Sequence, residues 1–591
     1  MASEEKEDEK LPLISYRKLK TNDREELDRL RFALVDGEHG FFQLDVDDEV
    51  DEFDQVAATE KRATFGKDIK RVYEMGKKFL KDLNEDTKKQ YLHTQYETFE
   101  TGGDIPLFEE YAYKANEIAC VESFDLVRDI SEEEEEEEDE NKTDFMKQPS
   151  GARGRIDWPI EVPEMKGAFN RFYQKCDEIA RILFCSFAKA LSMQNERAFE
   201  KHFSRDSHCA MRFMRYPQVT QIDDKNSKDA DDDDKNNNNN NNTNNNNNAK
   251  EVGVSEHTDF EMMTFLHQNE CGLYVKKRQG EWMAAPTLRE DEAKLLVIIS
   301  DGLEVFTNGM YKATPHRVER PENKERFSIV RFNGVNAETE MYALPEFVGN
   351  NDGANKRKRG KATTITQLDL ITTKVEEADG NLKDLVKRKK HPKEALSSNP
   401  ERFAQLLLMA KDYDNQWYIC LVLHKSGEFA ERYTGFIGKV ETWYEKNALA
   451  ETCIFAACEA LEEITLPENA KTRVTEKARF RFHGWLQENK MAIEHECVLV
   501  LNNAREKEAV LKDFNVDACA KDLSVIPKWF KVEDIPYAEM PEDDMHWYPM
   551  VIQNVKENEK KDDIIHGGYF TFDNDVLKDF EIKTYPKVSS S

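Results

Sequence analysis

The sequence lacks a long apolar run, a pair of cysteines at C-x-x-C spacing and an excess of positive charge. Without an apolar run of spanning length, we expect no transmembrane segment. The 10 cysteines are spread over 591 residues, which is typical neither of a disulfide framework nor of a zinc module and fits a reducing compartment. With 85 Lys and Arg against 117 Asp and Glu, the formal net charge is −32. Such a charge repels a phosphate backbone, so we expect no dedicated nucleic-acid binding.

The first ten residues, MASEEKEDEK, also lack the basic start and apolar stretch of a secretory signal. We therefore expect a cytoplasmic protein that does not associate with a membrane. A basic cluster, KRKR at 356–359, leaves a nuclear location open, because it reads either as a nuclear signal or as a solvated polar run.

Two low-complexity tracts interrupt the chain: EEEEEEEDE at 132–140, and an Asp- and Asn-rich stretch at 231–248. Such tracts cannot bury enough apolar surface to offset chain entropy, so both are predicted to be disordered insertions. The remaining chain is too long for one hydrophobic core. We predict a helix-rich subdomain, an acidic insertion, a β core with an insertion at 222–250, a linker and a second domain, over 1–128, 129–155, 156–349, 350–400 and 401–591.

Local periodicity predicts the elements of the β core. Alternation and β-branched content favour strands at RFMRYP (212–217), around residue 257 and within 295–332. Apolar residues at helical spacing predict a long amphipathic helix over 168–191 that packs against a sheet. Helices that precede strands indicate a β-sandwich or barrel with helices on one side.

A possible metal site lies in SEHTDFEMMTFLHQ (255–268), where His257 and Asp259 are one residue apart. Further along, a hairpin centred near Glu322 would place His316 opposite Ser328. Two imidazoles and one carboxylate on adjacent strands can occupy one face of an octahedral ion and leave three positions open, as in non-haem Fe(II) oxygenases.

These motifs, in this order, resemble the 2-oxoglutarate and Fe(II)-dependent oxygenases of the isopenicillin N synthase-like group. An H-x-D triplet is followed by a histidine 57 residues after its aspartate, and by R-x-S ten residues later. LPLISYRKL, GEHGFFQLD, DWP, RYP and SDGLEVFTNGMYKATPHRV extend the match over residues 11–347. The resemblance implies a double-stranded β-helix, or jelly-roll, with flanking helices.

The resemblance also implies roles for individual residues. Fe(II) would be bound by His257, Asp259 and His316. The distal carboxylate of 2-oxoglutarate would be held by Arg326 and Ser328, and Tyr216 would give this co-substrate a further hydroxyl contact. The implied reaction uses dioxygen to oxidise a small organic molecule, releases succinate and CO₂, and has ascorbate as a candidate accessory reductant.

Three further side chains depart from that pattern or invite a second interpretation. Where the family often has an asparagine, this chain has Met214. By alternation Arg212 faces the same way as Tyr216, so it either pairs with an acidic substrate or forms a surface ion pair at the sheet rim. We expect His267 to bond to water at a strand end rather than to act as a fourth ligand.

The C-terminal third resembles the oxidised-purine-nucleoside-triphosphate diphosphatases, the 8-oxo-dGTP hydrolases of the Nudix superfamily. The match covers about residues 412–585 and rests on GFIGKV (435–440), PKWFKVEDIPYAEMPEDDMHWYPMVIQN (527–554) and HGGYFTFDNDVLKDFEI (566–582). It implies an α/β Nudix fold, and the residues themselves predict a strand at NQWYICLVLHKSG and a helix over 447–464. It also implies a purine pocket that contains Asp543, Asp544 and Trp547.

The Nudix helix is only partly retained. Glu459, Glu462 and Glu463 match the Mg²⁺-binding glutamates, but the orienting arginine is Cys458. In the base pocket the family's asparagine corresponds to Thr434. The domain is therefore degenerate, and two alternatives to the oxygenase activity stay open: hydrolysis of oxidised purine nucleoside triphosphates, or a nucleotide-binding sensor whose oxygenase site has decayed.

Overall fold

The structure, a computed structural model, divides the chain into two compact units. The first unit comprises Met1–Asp157 and Met165–Ser397, and the second comprises Trp158–Glu164 and Ser398–Ser591. Both low-complexity tracts and the KRKR cluster lie outside the described residues. The structure describes residues 11–46, 65–95, 100–110, 113–129, 153–154, 156–205, 207–218, 250–348, 365–388, 400–427, 429–440, 448–460, 466–467, 469–483, 485, 491–512, 525–557, 564–573 and 576–586.

Short strands and a few helices make up the first unit. Its strands are β1 (Leu13–Ser15), β2 (Phe41–Asp45), β3 (Thr94–Gln95), β4 (Glu100–Thr101), β5 (Gly103–Ile105), β6 (Glu117–Ala119), β7 (Glu122–Leu126), β8 (Arg128–Asp129), β9 (Arg153–Gly154), β10 (Ser207–Tyr216), β11 (Lys250–Val252), β12 (Val254–His257), β13 (Met263–Gln268), β14 (Leu273–Lys276), β15 (Trp282–Ala284), β16 (Lys294–Ile299), β17 (His316–Val318) and β18 (Arg326–Asn336). Its helices are α1 (Tyr16–Lys20), α2 (Arg24–Arg31), α3 (Phe65–Lys77), α4 (Glu85–Lys88), α5 (Met165–Ala190), α6 (Asp301–Phe306) and α7 (Gln367–Arg388).

Two sheets of the first unit share one apolar interior. The larger has the order β1-β2-β16-β13-β18-β10-β7-β5, and the smaller has the order β12-β17-β14-β15. One cluster of buried side chains draws on both sheets, with Leu266 and Ile298 from the larger and Val254, Val275 and Val318 from the smaller. Side chains on the facing sides of the two sheets therefore point into one shared interior.

The long helix predicted over 168–191 is confirmed as α5. Its buried positions include Phe169, Phe172, Cys176 and Ile179, a spacing of three and four residues that gathers apolar side chains on one face. That face packs against α3 and β18. The helix thus covers the side of the large sheet that faces away from the smaller sheet's core cluster.

The predicted hairpin between His316 and Ser328 is wrong. β17 pairs with β12 and β14 in the small sheet, whereas β18 pairs with β10 and β13 in the large sheet. The turn after Val318 therefore carries the chain from one sheet to the other instead of reversing it within one sheet. His316 faces His257, and Ser328 faces Met214 and Gln268.

The second unit is built on one mixed sheet. Its strands are β19 (Glu401–Lys411), β20 (Trp417–His424), β21 (Tyr433–Thr434), β22 (Phe436–Lys439), β23 (Thr475–His483), β24 (Met491–Leu501), β25 (Val525–Lys531), β26 (Ile564–Asp573) and β27 (Val576–Pro586). Its helices are α8 (Ala448–Ala460), α9 (Ala470–Arg473), α10 (Ala504–Val510) and α11 (Asp544–Glu557). The main strand order is β21-β20-β19-β24-β23-β26-β27, with β22 on β19 and β25 on β20.

Alternation along β19 explains the layers of this unit, because successive side chains of a strand point to opposite faces. Leu406 and Leu408 pack with side chains of α8 and α10. Leu407 and Met409 pack with Trp547 of α11. The unit is therefore a helix–sheet–helix sandwich with a core on each side of the sheet. Within the described part of the chain, no helix combines the length and apolar character needed to cross a membrane.

Candidate metal and co-substrate site

The first unit brings His257, Asp259 and His316 together. His257 ends β12, His316 begins β17, and the two residues are direct partners across the antiparallel pair, with ring centroids 4.3 Å apart. Asp259 follows β12 by two residues, and its Oδ1 lies 3.5 Å from Nε2 of His257 and 3.6 Å from Nε2 of His316. One ligand atom from each residue lies within 4.8 Å of the others. Two imidazoles and one carboxylate, ligands suited to a divalent transition metal, thus converge on one point.

Backbone carbonyls orient both imidazoles. Nδ1 of His257 lies 2.8 Å from the carbonyl oxygen of Ser255, and Nδ1 of His316 lies 3.1 Å from that of Thr314. Since a carbonyl oxygen only accepts, each Nδ1 carries the proton and donates it. The Nε2 lone pair of each ring is consequently free and faces Asp259. This tautomer, with the proton on Nδ1, is the one that binds a metal through Nε2.

The carboxylate of Asp259 is held in its ionised form. Burial alone would raise its pKa, but the neighbouring His316 and His257 and the hydroxyl of Thr264 lower the pKa to about 2. Thr264 Oγ1 donates to Oδ2, so Oδ1 stays directed at the imidazoles. Burial lowers the pKa of His316. At neutral pH the site thus offers an anionic oxygen and a neutral imidazole.

Tyr113 is part of this site and was missed by the sequence analysis. Its ring lies parallel to the imidazole of His257, with centroids 4.3 Å apart and 5° between the planes. Phe260 contacts the edge of the same tyrosine at 6.3 Å. No motif marks Tyr113, because it lies more than a hundred residues before His257 and only the fold brings the two rings together.

A second polar group is built around Arg326, the first residue of β18. Arg326 is fully buried, and its guanidinium lies 4.4 Å from the ring centroid of Tyr216, its direct partner on β10. Nε donates to Oε1 of Gln268 at 3.0 Å, and Nη1 donates to Oγ of Ser328 at 3.3 Å. Gln268 donates its own amide to the carbonyls of Ala285 and Pro286, both at 3.1 Å, which directs Oε1 toward the arginine.

One nitrogen of this guanidinium makes no hydrogen bond to the described residues. Nη2 of Arg326 is buried and has no hydrogen-bond partner in the described part of the chain. A buried charged donor without a partner is costly, and a carboxylate is the acceptor that matches a guanidinium through two parallel bonds. Tyr216 belongs to the same apolar cluster as Val254 and Val318, which flank the metal ligands on their strands. The residues fit the carboxylate of a small acid bound between the sheets.

Arg212 lies in neither of the settings predicted for it. It is 8% exposed, so it forms no surface ion pair. Its guanidinium contacts Asp125 at 2.8 Å and Glu110 at 2.8 Å, both within the fold. With two carboxylates already paired to it, Arg212 is not free to bind an acidic substrate. The hydroxyl of Tyr216 lies 3.6 Å from the sulfur of Met214, at the position where the resemblance implied an asparagine.

The sequence suggested that His267 bonds to water at a strand end, but the structure places its ring in the core. The residue is fully buried, with Nδ1 2.9 Å from the hydroxyl of Tyr73 and Nε2 3.2 Å from the carbonyl oxygen of Glu292. Burial lowers its pKa to about 4, so the ring is neutral. His267 therefore serves the core rather than the metal ligands.

In the second unit, the sequence-predicted residues divide into two groups. Asp543, Asp544 and Thr434 line one pocket of about 140 Å³, and Trp547 packs beneath them with Nε1 3.3 Å from Oδ2 of Asp543. Of the predicted Mg²⁺ ligands, Glu462 and Glu463 lie outside the described residues. Glu459 is the penultimate residue of α8, and its side chain is likewise outside the described part.

Comparison with known proteins finds a family model that covers the metal-binding region. A family model for the 2OG-Fe(II) oxygenase superfamily matches residues 232–334. Homoarginine-6-hydroxylase 2-ODD-C23 of Glycine max is 28% identical over 208 residues, which are 35% of this chain and 56% of that protein. The 2-oxoglutarate-Fe(II) type oxidoreductase ppzC of Metarhizium rileyi is 28% identical over 236 residues, or 39% and 54% of the two chains.

A likeness to solved structures is weaker. The dioxygenase for auxin oxidation of rice is 18% identical with a TM-score of 0.35, and the match covers 58% of this chain and 88% of that one. The chain spans about half the length of the curated relatives it matches. The family match includes both histidines, Asp259 and the R-x-S motif, and the chain therefore contains a domain of the 2OG-Fe(II) oxygenase superfamily.

Proposed function

We propose that the first unit is an Fe(II)- and 2-oxoglutarate-dependent oxygenase that oxidises a small organic molecule and releases succinate and CO₂. The observation that carries this proposal is the convergence of two imidazole Nε2 atoms on Oδ1 of Asp259, at 3.5 and 3.6 Å. Two imidazoles and one carboxylate suit Fe(II) and leave positions free for a chelating co-substrate and dioxygen. When bound, the iron supplies the oxidising power.

The chain's own residues would bind and orient the co-substrate. Arg326 presents the unpaired Nη2, Ser328 presents its hydroxyl, and the phenol of Tyr216 lies beside them. Together they would hold the distal carboxylate of 2-oxoglutarate. The anchoring of Arg326 by Gln268 keeps the guanidinium in one orientation, which lowers the entropy lost when the acid binds. Ascorbate would serve as an accessory reductant.

We also propose the isopenicillin N synthase-like group and a double-stranded β-helix for this unit. The ordered H-x-D, His316 and R-x-S motifs support the group. Two facing sheets, with metal ligands on the smaller and the arginine on the larger, support the fold. The curated relatives include hydroxylases named for homoarginine and for scopoletin. These substrates differ so much in chemistry that we propose only the class of substrate, a small organic molecule.

The test uses the full chain, loaded with Fe(II), and labelled 2-oxoglutarate. We expect release of labelled CO₂ without added substrate, and loss of that release in His316→Ala. His202→Ala removes a histidine outside the site and is the matched control. No release from the wild type, together with no difference between the variants, would contradict the proposal.

Anaerobic titration with Fe(II) and 2-oxoglutarate separates an active site from a decayed one. A metal-to-ligand charge-transfer band in the visible, absent in Asp259→Ala, is expected if both bind. A missing band in the wild type would favour the alternative in which the oxygenase site is inactive and the chain acts chiefly through its second unit.

A second candidate function concerns that second unit, for which we propose a degenerate Nudix fold that binds a purine nucleotide. The supporting observation is the pocket, to which Thr434, Asp543 and Asp544 contribute from segments a hundred residues apart. These are the positions that the resemblance assigned to base recognition. The retained glutamates would hold Mg²⁺, but without the orienting arginine we expect activity roughly 10- to 100-fold below that of an intact site.

Calorimetry of the full chain against 8-oxo-dGTP and dGTP with Mg²⁺, combined with a pyrophosphate-release assay, tests this candidate. Release that Glu462→Gln abolishes would indicate a hydrolase of oxidised purine nucleoside triphosphates. Binding without release would indicate a sensor. If neither nucleotide binds, the candidate function is wrong.

A further inference from the structure

The pocket of the second unit has an unusual wall of acidic side chains. At about 140 Å³ it is small beside the roughly 300–1,000 Å³ of typical ligand sites, so it has room for one ring system rather than a whole nucleotide. Four carboxyl groups line it, from Glu494, Glu542, Asp543 and Asp544. Among the described residues that line it, Arg432 is the one cation, and that side chain is exposed. The pocket is thus short of positive charge.

Two of the buried acids have oxygens without a partner. Asp544 is 2% exposed, and its Oδ2 accepts no hydrogen bond from the described residues. Glu496 follows Glu494 by two residues on β24 and is fully buried. Neither of its carboxyl oxygens has a hydrogen-bond partner among the described residues. Burial and the neighbouring carboxyls raise the pKa of both groups well above the usual range. Asp544 lines the pocket whereas Glu496 does not, so a ligand that brought positive charge and an N–H donor would relieve the cost at Asp544.

The other polar side chains of the pocket are already engaged. Gln405 Oε1 accepts from the backbone N–H of Gly435 at 2.7 Å and from the hydroxyl of Tyr548 at 2.6 Å, and its Nε2 donates to Glu494 at 3.2 Å. The hydroxyl of Thr434 contacts Nε2 of His424 at 2.7 Å and the carbonyl oxygen of Gly435. The acceptors left to a ligand are therefore mostly carboxyl oxygens.

Aromatic rings form the remaining wall. The ring of Trp485 lies 5.4 Å from Phe482 and 6.0 Å from Phe429, measured between centroids. Phe572 lies nearly parallel to Phe482, with centroids 6.1 Å apart and 17° between the planes. Flat apolar faces of this kind bind planar rings, and their negative π faces favour a planar ring that is positively charged.

We propose that this pocket selects a planar nitrogen heteroaromatic ring that carries a positive charge and displays N–H groups at its edge, as an N-alkylated purine does. The aromatic faces would stack on the ring while carboxyl oxygens of Glu494, Asp543 and Asp544 accept its N–H groups. The inference rests on the proposed binding of a purine by the second unit, and it specifies which form of the ring is preferred. A neutral purine would fill the same space but leave the acidic wall uncompensated.

The experiment compares 7-methylguanosine with guanosine by calorimetry on the full chain, at a pH just above the Asp543 pKa of about 6, where the methylated ring is cationic and Asp543 is ionised. A desolvated cation–π contact and a charge-assisted hydrogen bond each contribute more free energy than a tenfold change in Kd requires. We therefore expect 7-methylguanosine to bind roughly tenfold tighter than guanosine, or more. Glu494→Gln should reduce that preference and leave guanosine binding within about twofold. The matched control, Glu533→Gln, removes an exposed carboxylate outside the pocket and should change neither.

The outcomes separate the inference from the candidate function on which it rests. If neither nucleoside binds while 8-oxo-dGTP does, the inference is wrong and the candidate function stands; if none of the three binds, both are wrong. If both bind equally, the purine-binding function stands and the inference is overturned. A preference for 7-methylguanosine that survives both Glu494→Gln and Asp543→Asn would also overturn it, because the charge would then be recognised elsewhere. Asp543→Asn decides the matter on its own if Glu494→Gln does not fold.

Discussion

The ring of Tyr113 lies flat against the imidazole of His257, with centroids 4.3 Å apart and 5° between the planes. The backbone carbonyl of Ser255 holds the same imidazole in its plane through Nδ1. Stacking and hydrogen bonding thus restrict different motions of the ring, and together they direct Nε2 at Asp259. Partners that orient a metal ligand contribute to metal affinity without touching the metal.

We therefore predict that Tyr113→Ala weakens Fe(II) binding by about tenfold or more. Tyr113→Phe keeps the aromatic face and should bind Fe(II) nearly as well as the wild type. Anaerobic titration of Fe(II) into the three proteins measures the difference. Equal affinities for the Ala and Phe variants would show that stacking does not position His257.

Gly272, the residue before β14, leaves room for the side chain of the buried Arg326. Its φ is +144°, and a Cβ placed there would lie 3.1 Å from Cδ of Arg326 and 3.3 Å from the carbonyl oxygen of Glu319. Gly272→Ala should displace the guanidinium and raise the KM for 2-oxoglutarate about tenfold or more, because small misplacements of a binding group are costly. Uncoupled CO₂ release at varied 2-oxoglutarate concentrations measures this KM.

The control for that substitution is Gly280→Ala. Gly280 also has a positive φ, +95°, but a Cβ there meets nothing within 4 Å. Both variants should lose roughly 1–3 kcal/mol of stability to backbone strain, whereas only Gly272→Ala should alter the KM. A similar KM in both variants would contradict a role for Gly272 in placing Arg326.

Arg212 is predicted to stabilise the first unit rather than to bind substrate. Arg212→Met leaves Glu110 and Asp125 without their shared cation, and breaking a buried ion pair in this way costs roughly 3–5 kcal/mol. Adding Glu110→Gln and Asp125→Asn to that variant should recover much of the loss. Thermal unfolding of the single and triple variants measures both effects. Unchanged stability in Arg212→Met, with a raised KM for 2-oxoglutarate or substrate, would instead place this arginine in the binding site.

A pH dependence of stability is expected from Asp543. Burial raises its pKa from 3.8 to about 6, so between these values the folded chain keeps a proton that the unfolded chain releases. The resulting stabilisation is complete below about pH 4 and is lost as the pH rises to about 6, at a cost of up to about 3 kcal/mol. The asparagine in Asp543→Asn cannot ionise, so the stability of this variant should not decline over the same pH range.

Thermal unfolding of the full chain across this pH range, wild type against Asp543→Asn, measures the difference. Asp534→Asn, a substitution of an exposed aspartate in the same unit, is the control and should follow the wild type. If the wild type and Asp543→Asn decline in parallel from about pH 4 to about pH 6, the buried carboxyl does not keep its proton.

The sequence by itself, through the order of its motifs and their resemblance to a family, predicted His257, Asp259 and His316 as metal ligands, and the structure brings these three side chains together. It likewise predicted Arg326 and Ser328 as the co-substrate contacts. It also determined α5 and β20, whose apolar spacing shows in a single window of sequence. Periodicity of this kind reports which face of an element is buried. It contains no information about which other element covers that face.

Only the tertiary structure decided which strands pair. His316 lies opposite His257 instead of Ser328 because β17 and β18 belong to different sheets, and a local turn cannot show that the chain crosses between them. The contacts of Tyr113 with His257, and of Arg212 with its two carboxylates, likewise join residues about ninety or more positions apart. These contacts follow from the burial of whole faces of sheet and helix against one another, and that burial is settled by long-range packing, not by any short stretch of sequence.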